Sequence, residues 1–269
     1  MSALPTELEA HREPSVTRAL RLLDVFSDGP AALGLSAIAR AAGMPKATVF
    51  RLLSHLEAAG YVERAGSDYR IGAKLFELGN LAPVCRPGSL RDSALPYMSE
   101  LYTRVPRCVV CLGVLDGTDV IYIEKIRGSG SPATTSRVGA RFPAASSSLG
   151  KAILAFSPPA AVRRVLESGL RRRTPYSIVE PGRFHADLEA TRARGVAFDR
   201  EEISLGIASV AAPVLVDGFA VAAVSVTGAL PGFNPQQAQS LVREAARRAG
   251  EERTARVAAG DDDALTKER

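Results

Sequence analysis

Ser148 and Lys151 stand three residues apart in "AASSSLGKAILAF", residues 144–156. At that spacing a lysine amine could serve as base to a serine nucleophile, as in Ser-Lys acyl hydrolases. The same text holds Gly150-Lys151, which could close a phosphate-binding loop. Both chemistries need partners. The penicillin-recognising pattern requires Lys-Thr-Gly downstream, and the nearest text is Val226-Thr227-Gly228. A phosphate loop requires glycine where Ala145 stands and Ser or Thr where Ala152 stands. The segment therefore reads as a serine-capped helix start. Its free N–H groups and positive dipole end suit a carboxylate.

Two other fragments invite a metal or redox reading. Cys108-Val-Val-Cys111 has the right spacing, but "RCVVCLGVL" is a β-branched apolar run and reads as a strand. Residues three apart in a strand point to opposite faces, a poor geometry for one metal. His11, His55 and His185 are scattered, and the count of three cysteines suits no disulfide framework. "FDREE", residues 198–202, clusters carboxylates, but carboxylates alone specify little. Glu201 and Glu202 are expected to be mostly structural or exposed. The "RRR" run at 171–173 is expected to end a helix. No metal and no cofactor are expected.

The elements that must position these residues fall into zones. With 269 residues, 46% hydrophobic and 23% charged, the chain is ordinary for a soluble protein of one or two domains. No apolar run reaches the roughly 18–20 residues of a membrane span, and no signal peptide is visible, so a cytoplasmic protein is expected. The net charge of +5 permits a polyanionic partner without proving one. Residues 1–80 hold nine bases and nine acids, so any nucleic-acid surface depends on where those charges point.

Within 14–80, "SVTRALRLLDVF" and "SAIARAA" carry helical patterns, with Ser15 and Ser36 as expected caps and Gly43 as a stop. "KATVFRLLSHLEAAG" follows, with Val49, Leu52, Leu53 and Leu56 forming one apolar stripe and Gly60 ending the helix. "YVERAGSDYRIG" reads as a hairpin turning at Gly66-Ser67-Asp68, in which Tyr69 is more simply packing than recognition. Three helices and a hairpin make a winged helix-turn-helix. Opposite the apolar stripe of the third helix lie Ala47, Arg51 and Ser54, flanked by Thr48 and His55, with Lys46 at its start. Slim side chains, one long donor and cations are what a helix needs to enter the major groove. Arg64 and Arg70 could grip the phosphate backbone, and Ser36 completes the expected DNA-binding set.

Beyond residue 85, "VVCLGVL", "DVIYIEKI", "SVAAPVLV" and "FAVAAVSVTG" read as strands with Asp-Gly turns. "PAAVRRVLES", "FHADLEATRARG" and "NPQQAQSLVREAARRAGEE" read as helices. The polar end from about residue 251 reads as a flexible tail.

In its ordered motifs the chain resembles the IclR family of bacterial transcription regulators. The resemblance rests on "SVTRALRLLDVF", "LSAIARAAGMPKATVFRLLSHLEAAGYVER", "YRIGAKLFELG", "VLDGTDVIYIEKI", "SRVGARFPAASSSLGKAILAF", "ARGVAFDREEISLGIASVAAPV" and "AVAAVSVTGAL". It spans roughly residues 14–250. The resemblance implies an α+β protein. Residues 1–13 would be a tail, 14–72 a winged helix-turn-helix, 73–84 a linker helix, 85–250 an effector domain and 251–269 a second tail. The effector domain would be similar to GAF-type folds, an antiparallel sheet flanked by helices. The resemblance further implies a homodimer or dimer of dimers on a double-stranded DNA operator of inverted-repeat form, with a small organic acid as effector.

Matched motif to motif, the effector pocket would be lined by Ser148, Leu149, Asp199, Ile207, Ser209, Ser225 and Thr227. Two departures stand out. Ser209 replaces a frequent Cys, which implies slightly higher polarity there, and Ala144-Ala145 stand where the family often has His, a missing ring that implies a roomier or less polar pocket. The expected function is a ligand-responsive DNA-binding transcription regulator, a repressor in preference to an activator, and not an enzyme. A Ser-Lys hydrolase and an interaction scaffold without DNA binding are the alternatives.

Overall fold

A computed structural model describes residues 13–27, 29–85 and 88–259. The predicted first tail, apart from residue 13, and the end of the second, from residue 260, lie outside the described residues. The chain divides into two compact units, Met1–Cys85 and Arg86–Arg269.

The first unit runs α1 (Ser15–Asp24), β1 (Leu33–Gly34), α2 (Leu35–Ala42), α3 (Lys46–Ala58), β2 (Val62–Ala65), β3 (Asp68–Ile71) and α4 (Ala73–Gly79). Leu22, Ile38, Val49 and Leu53 are fully buried and join the first three helices. Gly43 (φ 65°) stops α2 with its N–H on the Ala39 and Arg40 carbonyls. Gly60 (φ 79°) stops α3, with Gly60 N on Glu57 O and Tyr61 N on Leu56 O. The hairpin turns at Gly66-Ser67, so Asp68 already belongs to β3. A third strand, β1, pairs with β3 and gives the order β1-β3-β2. Two residues are too few to leave a periodic signal in sequence. The expected serine caps are corrected. Pro14 and Gly34 precede α1 and α2, and Ser15 and Ser36 sit inside the helices. Within the predicted linker span, residues 73–84, the helix α4 ends at Gly79, and a separate short turn covers Pro83–Cys85.

The second unit contains α5 (Leu90–Arg104), β4 (Val109–Asp116), β5 (Asp119–Ile126), β6 (Arg141–Pro143), α6 (Ser148–Ala155), α7 (Pro159–Glu167), α8 (Pro181–Arg194), β7 (Ala197–Arg200), β8 (Ile207–Val216), β9 (Phe219–Ala229) and α9 (Pro235–Ala258). Its six strands form one antiparallel sheet, ordered β6-β5-β4-β9-β8-β7. Strands β8 and β9 are near-continuous apolar runs because both faces are covered. Cys111, Ala211 and Ala223 point toward α6, while Val210, Val224 and Val226 alternate to the face where α9 packs. Asn234 caps α9 by accepting from Gln236 N. That helix continues to Ala258 with Arg253 buried, so the predicted tail begins later than residue 251. Arg171, Arg172 and Arg173 lie beyond α7, which stops at Glu167, and so do not end a helix.

Candidate functional site

On α3 Val49, Leu52 and Leu53 are buried, Leu56 is half-buried, and the opposite face is open. Lys46, Ala47, Arg51 and His55 are exposed, and Thr48 and Ser54 are half-buried. Ser36 is exposed near the start of α2. Neither Lys46 nor Arg51 makes an ion pair among the described residues. The hairpin arginines differ. Arg64 lies 3.5 Å from Glu57 and stacks 4.2 Å over the ring of Tyr69. Arg70 lies 3.3 Å from Glu63. Tyr69 itself is only 1% exposed and belongs to the core. Sequence reasoning passed over Phe50, which stands on the open flank of α3 and is 48% exposed. Its outward direction was legible from the helical period.

In the second unit, Ser148, Asp199, Ile207, Ser209 and Thr227 come together around one cavity of about 90 Å³. That is room for several waters or one small organic molecule. Tyr122, Ala133, Thr134, Thr135, Ser136, Phe142, Ser147, Ile203 and Ser204 complete its wall. Hydroxyl groups dominate the lining, and no cationic side chain contributes to it. Ala144 and Ala145 lie in the core and do not line the cavity.

Two predicted lining residues stand elsewhere. Leu149 packs into the core toward Gly113. Ser225 is buried deeper on the same sheet face, beside Cys111 and Ala211. The residues missed, Tyr122 and the Ala133–Ser136 segment above all, reach the cavity from a strand and a loop far away in sequence. The hydroxyl run Thr134-Thr135-Ser136 was the one signal available.

The start of α6 explains how the serines divide their work. Ser147 is the cap, and its Oγ accepts from Gly150 N at 2.9 Å. Ser148 is thereby free to bond Ser209, Oγ to Oγ at 2.7 Å. A Cβ on Gly150 would fall 2.2 Å from Ala144 O, so only glycine lets the helix lie this close to the preceding chain. The first N–H groups of α6, at Ser148 and Leu149, have no intrahelical acceptor.

Behind the cavity lies a buried charge network. Lys151, 1% exposed, places Nζ 2.5 Å from Glu202 Oε1 and 3.0 Å from Asp187 Oδ2. The Asp187 contact is an ion pair rather than an aligned hydrogen bond. Arg194 holds the other Asp187 oxygen at 3.3 Å. Glu202 N donates to Asp199 Oδ1 at 2.7 Å. Burial, reinforced by the neighbouring Glu202 carboxylate, pushes Asp199 up to about 7. Lys151 and the backbone N–H groups of Glu202 and Ile203 oppose that rise. Burial also raises Glu202. A protonated Asp199 can donate a hydrogen bond into the cavity, and an ionised one can only accept.

The enzyme-like fragments are separated by this geometry. Ser148 bonds Ser209 and Lys151 bonds Glu202, so each of the two is engaged elsewhere. Cys108 and Cys111 are buried, and burial raises their thiols to about 11 and about 12. Both stay protonated and unreactive near neutral pH. Among the described residues no cluster of His, Cys, Asp and Glu could hold a metal. No described helix is long and apolar enough to cross a membrane.

Comparison with known proteins agrees with this layout. The family model described as "Bacterial transcriptional regulator IclR C-terminal" matches residues 85–252, and the "IclR helix-turn-helix domain" matches residues 15–66. The transcriptional regulator XynR of Escherichia coli is 34% identical over 203 residues, covering 74% of this chain and 79% of its own. The glycerol operon regulatory protein of Streptomyces griseus is 37% identical over 227 residues, covering 83% and 88%. Among solved structures, an IclR homologue from Microbacterium hydrocarbonoxydans complexed with 4-hydroxybenzoate superposes with a TM-score of 0.79. It is 27% identical and covers 90% of this chain and 100% of its own.

Proposed function

The chain belongs to the IclR family of bacterial transcriptional regulators, and on that premise we propose that it is a repressor whose grip on operator DNA responds to a small organic acid. The single observation that carries the effector half is the hydroxyl-lined cavity at the start of α6, whose wall includes Ser147 and Ser148. A carboxylate received there meets the positive end of the helix dipole without needing a cation. Asp199 would repel it if ionised, but its raised pKa lets it donate instead. The edge-to-face pair Tyr122–Phe142, with ring centroids 5.2 Å apart, offers a wall for an aromatic ring. An acid the size of 4-hydroxybenzoate, the ligand of the Microbacterium homologue, is a reasonable probe.

In this reading α3 enters the major groove and Lys46, Arg51 and the hairpin meet DNA. Two copies related by two-fold symmetry would read the halves of an inverted repeat. A homodimer or dimer of dimers supplies those copies. The effector can act only by binding better to one arrangement of the paired DNA-binding units than to another.

A thermal-shift screen of small carboxylates, 4-hydroxybenzoate among them, tests the pocket, since a ligand of the folded state raises its apparent stability. Hits are then titrated against the protein on DNA from upstream of its own gene. An acid that binds and weakens operator binding supports the proposal. Binding without any change in DNA affinity rules out the switch, and a gain in affinity rules out repression relieved by the acid.

A further inference from the structure

We propose that Phe50 is an apolar base reader, whose ring meets a thymine methyl group in the major groove and adds a preference that the cations of α3 do not supply. The proposal rests on the DNA-binding reading above and goes beyond it by assigning one base contact.

Phe50 is 48% exposed while Val49, Leu52 and Leu53 around it are buried. It stands one turn after Lys46 and one turn before Ser54, in the row that the open flank of α3 presents. The polar readers of that face are few. Ser54 already donates its hydroxyl proton to Phe50 O at 3.0 Å, so it can offer a base edge only an acceptor. Ala47 has no polar group, and Lys46 is a point charge suited to phosphate. Arg51 remains as the long directional donor. A ring beside it cannot form hydrogen bonds with base edges. It can exclude water from the one apolar group the major groove displays, the C5 methyl of thymine.

A single exposed aromatic can also be idle surface, and the methyl group allows the two cases to be separated. The full-length protein selects its preferred duplex from a random library. Each thymine of that duplex is then replaced by uracil, which removes the methyl and keeps the pairing. Affinities are measured by fluorescence anisotropy at fixed salt. The expected result is one thymine per half-site whose replacement weakens binding about fourfold, the contribution of one buried methyl group. Phe50→Ala should bind the thymine and uracil duplexes equally, with unchanged circular dichroism, because the buried stripe of Val49, Leu52 and Leu53 stays intact. Phe50→Leu, which keeps an apolar tip, should retain part of the preference and serves if Phe50→Ala binds too weakly to measure.

Wild-type protein indifferent to every uracil, or Phe50→Ala as sensitive as wild type, overturns the proposal while leaving DNA binding intact. Failure of the full-length protein to select any sequence from the library overturns the DNA-binding reading and the proposal with it.

Discussion

Helices α3 and α6 use similar letters, small residues, hydroxyls and one lysine near the start, and put them to opposite ends. Helix α3 buries one stripe and leaves Lys46 and Arg51 in solvent without an ion pair among the described residues. Helix α6 is buried at every residue, and its Lys151 is met by Glu202 and Asp187. Burying an ammonium without partners is costly, so α6 must sit among carboxylates. An exposed ammonium has no such need. A cation stays available to an outside partner only where the fold keeps acids away from it. The lysine of Gly150-Lys151 is therefore scaffolding for a cavity, and Lys46 is surface charge.

Breaking the buried lysine gives the largest effect. Lys151→Ala leaves Glu202 without its cation and Asp187 with Arg194 alone, and should cost about 3–5 kcal/mol in urea unfolding. Lys46→Ala should cost under about 0.5 kcal/mol. Similar losses at both sites would erase the contrast. Next comes Asp199, whose ordinary value is 3.8 and whose folded value is about 7. Between these values the folded chain keeps a proton that the unfolded chain releases. The stability that Asp199 contributes is therefore full below pH about 4 and declines as pH rises through 7. Asp199→Asn does not titrate and should gain on wild type as pH rises from 4 to 8, by up to about 4 kcal/mol. Urea unfolding across that range checks it, and a pH-independent difference would mean that Asp199 is already ionised in the folded chain.

The same contrast explains what the sequence made legible. The stripe of α3, with Val49, Leu52, Leu53 and Leu56, declared its open face because period and burial are local properties. Long strands such as β5 and β9 declared themselves through β-branched runs. Strand β6, with three residues, left no periodic trace. Motif resemblance brought Ser148, Asp199, Ile207, Ser209 and Thr227 to one wall, but placed Leu149 and Ser225 there too. A motif marks the segment near a pocket. Which side chain of the segment points inward depends on packing against Gly113 or Cys111, which the segment alone does not contain. The partners of Lys151 were hidden for the same reason, since Glu202 lies 51 residues away in sequence.

The smaller effects concern DNA. Arg51→Ala should relax preference at one position of the preferred duplex by about 1–3 kcal/mol and leave the other positions unchanged. Binding to duplexes varied one base pair at a time tests it, and a uniform loss would make Arg51 a phosphate contact instead.

The smallest expected effect separates Lys46 from Arg64, which sequence reasoning treated alike. Each phosphate contact releases counterions, so removing a free cation lowers the slope of log affinity against log salt by about one. Lys46→Ala should do this. Arg64→Ala should lower it less, because Glu57 stands 3.5 Å from the guanidinium and offsets part of its charge. The pair is exposed, so it is weak and a phosphate can compete for the arginine. Glu57 thus competes with the phosphate for the guanidinium and lowers what Arg64 can contribute to DNA. Glu57→Gln should for this reason raise DNA affinity modestly and steepen the salt dependence, and only with Arg64 present. If Glu57→Gln has the same effect in an Arg64→Ala background, the carboxylate acts on DNA directly, and the contrast between a free and a paired cation does not extend to the hairpin.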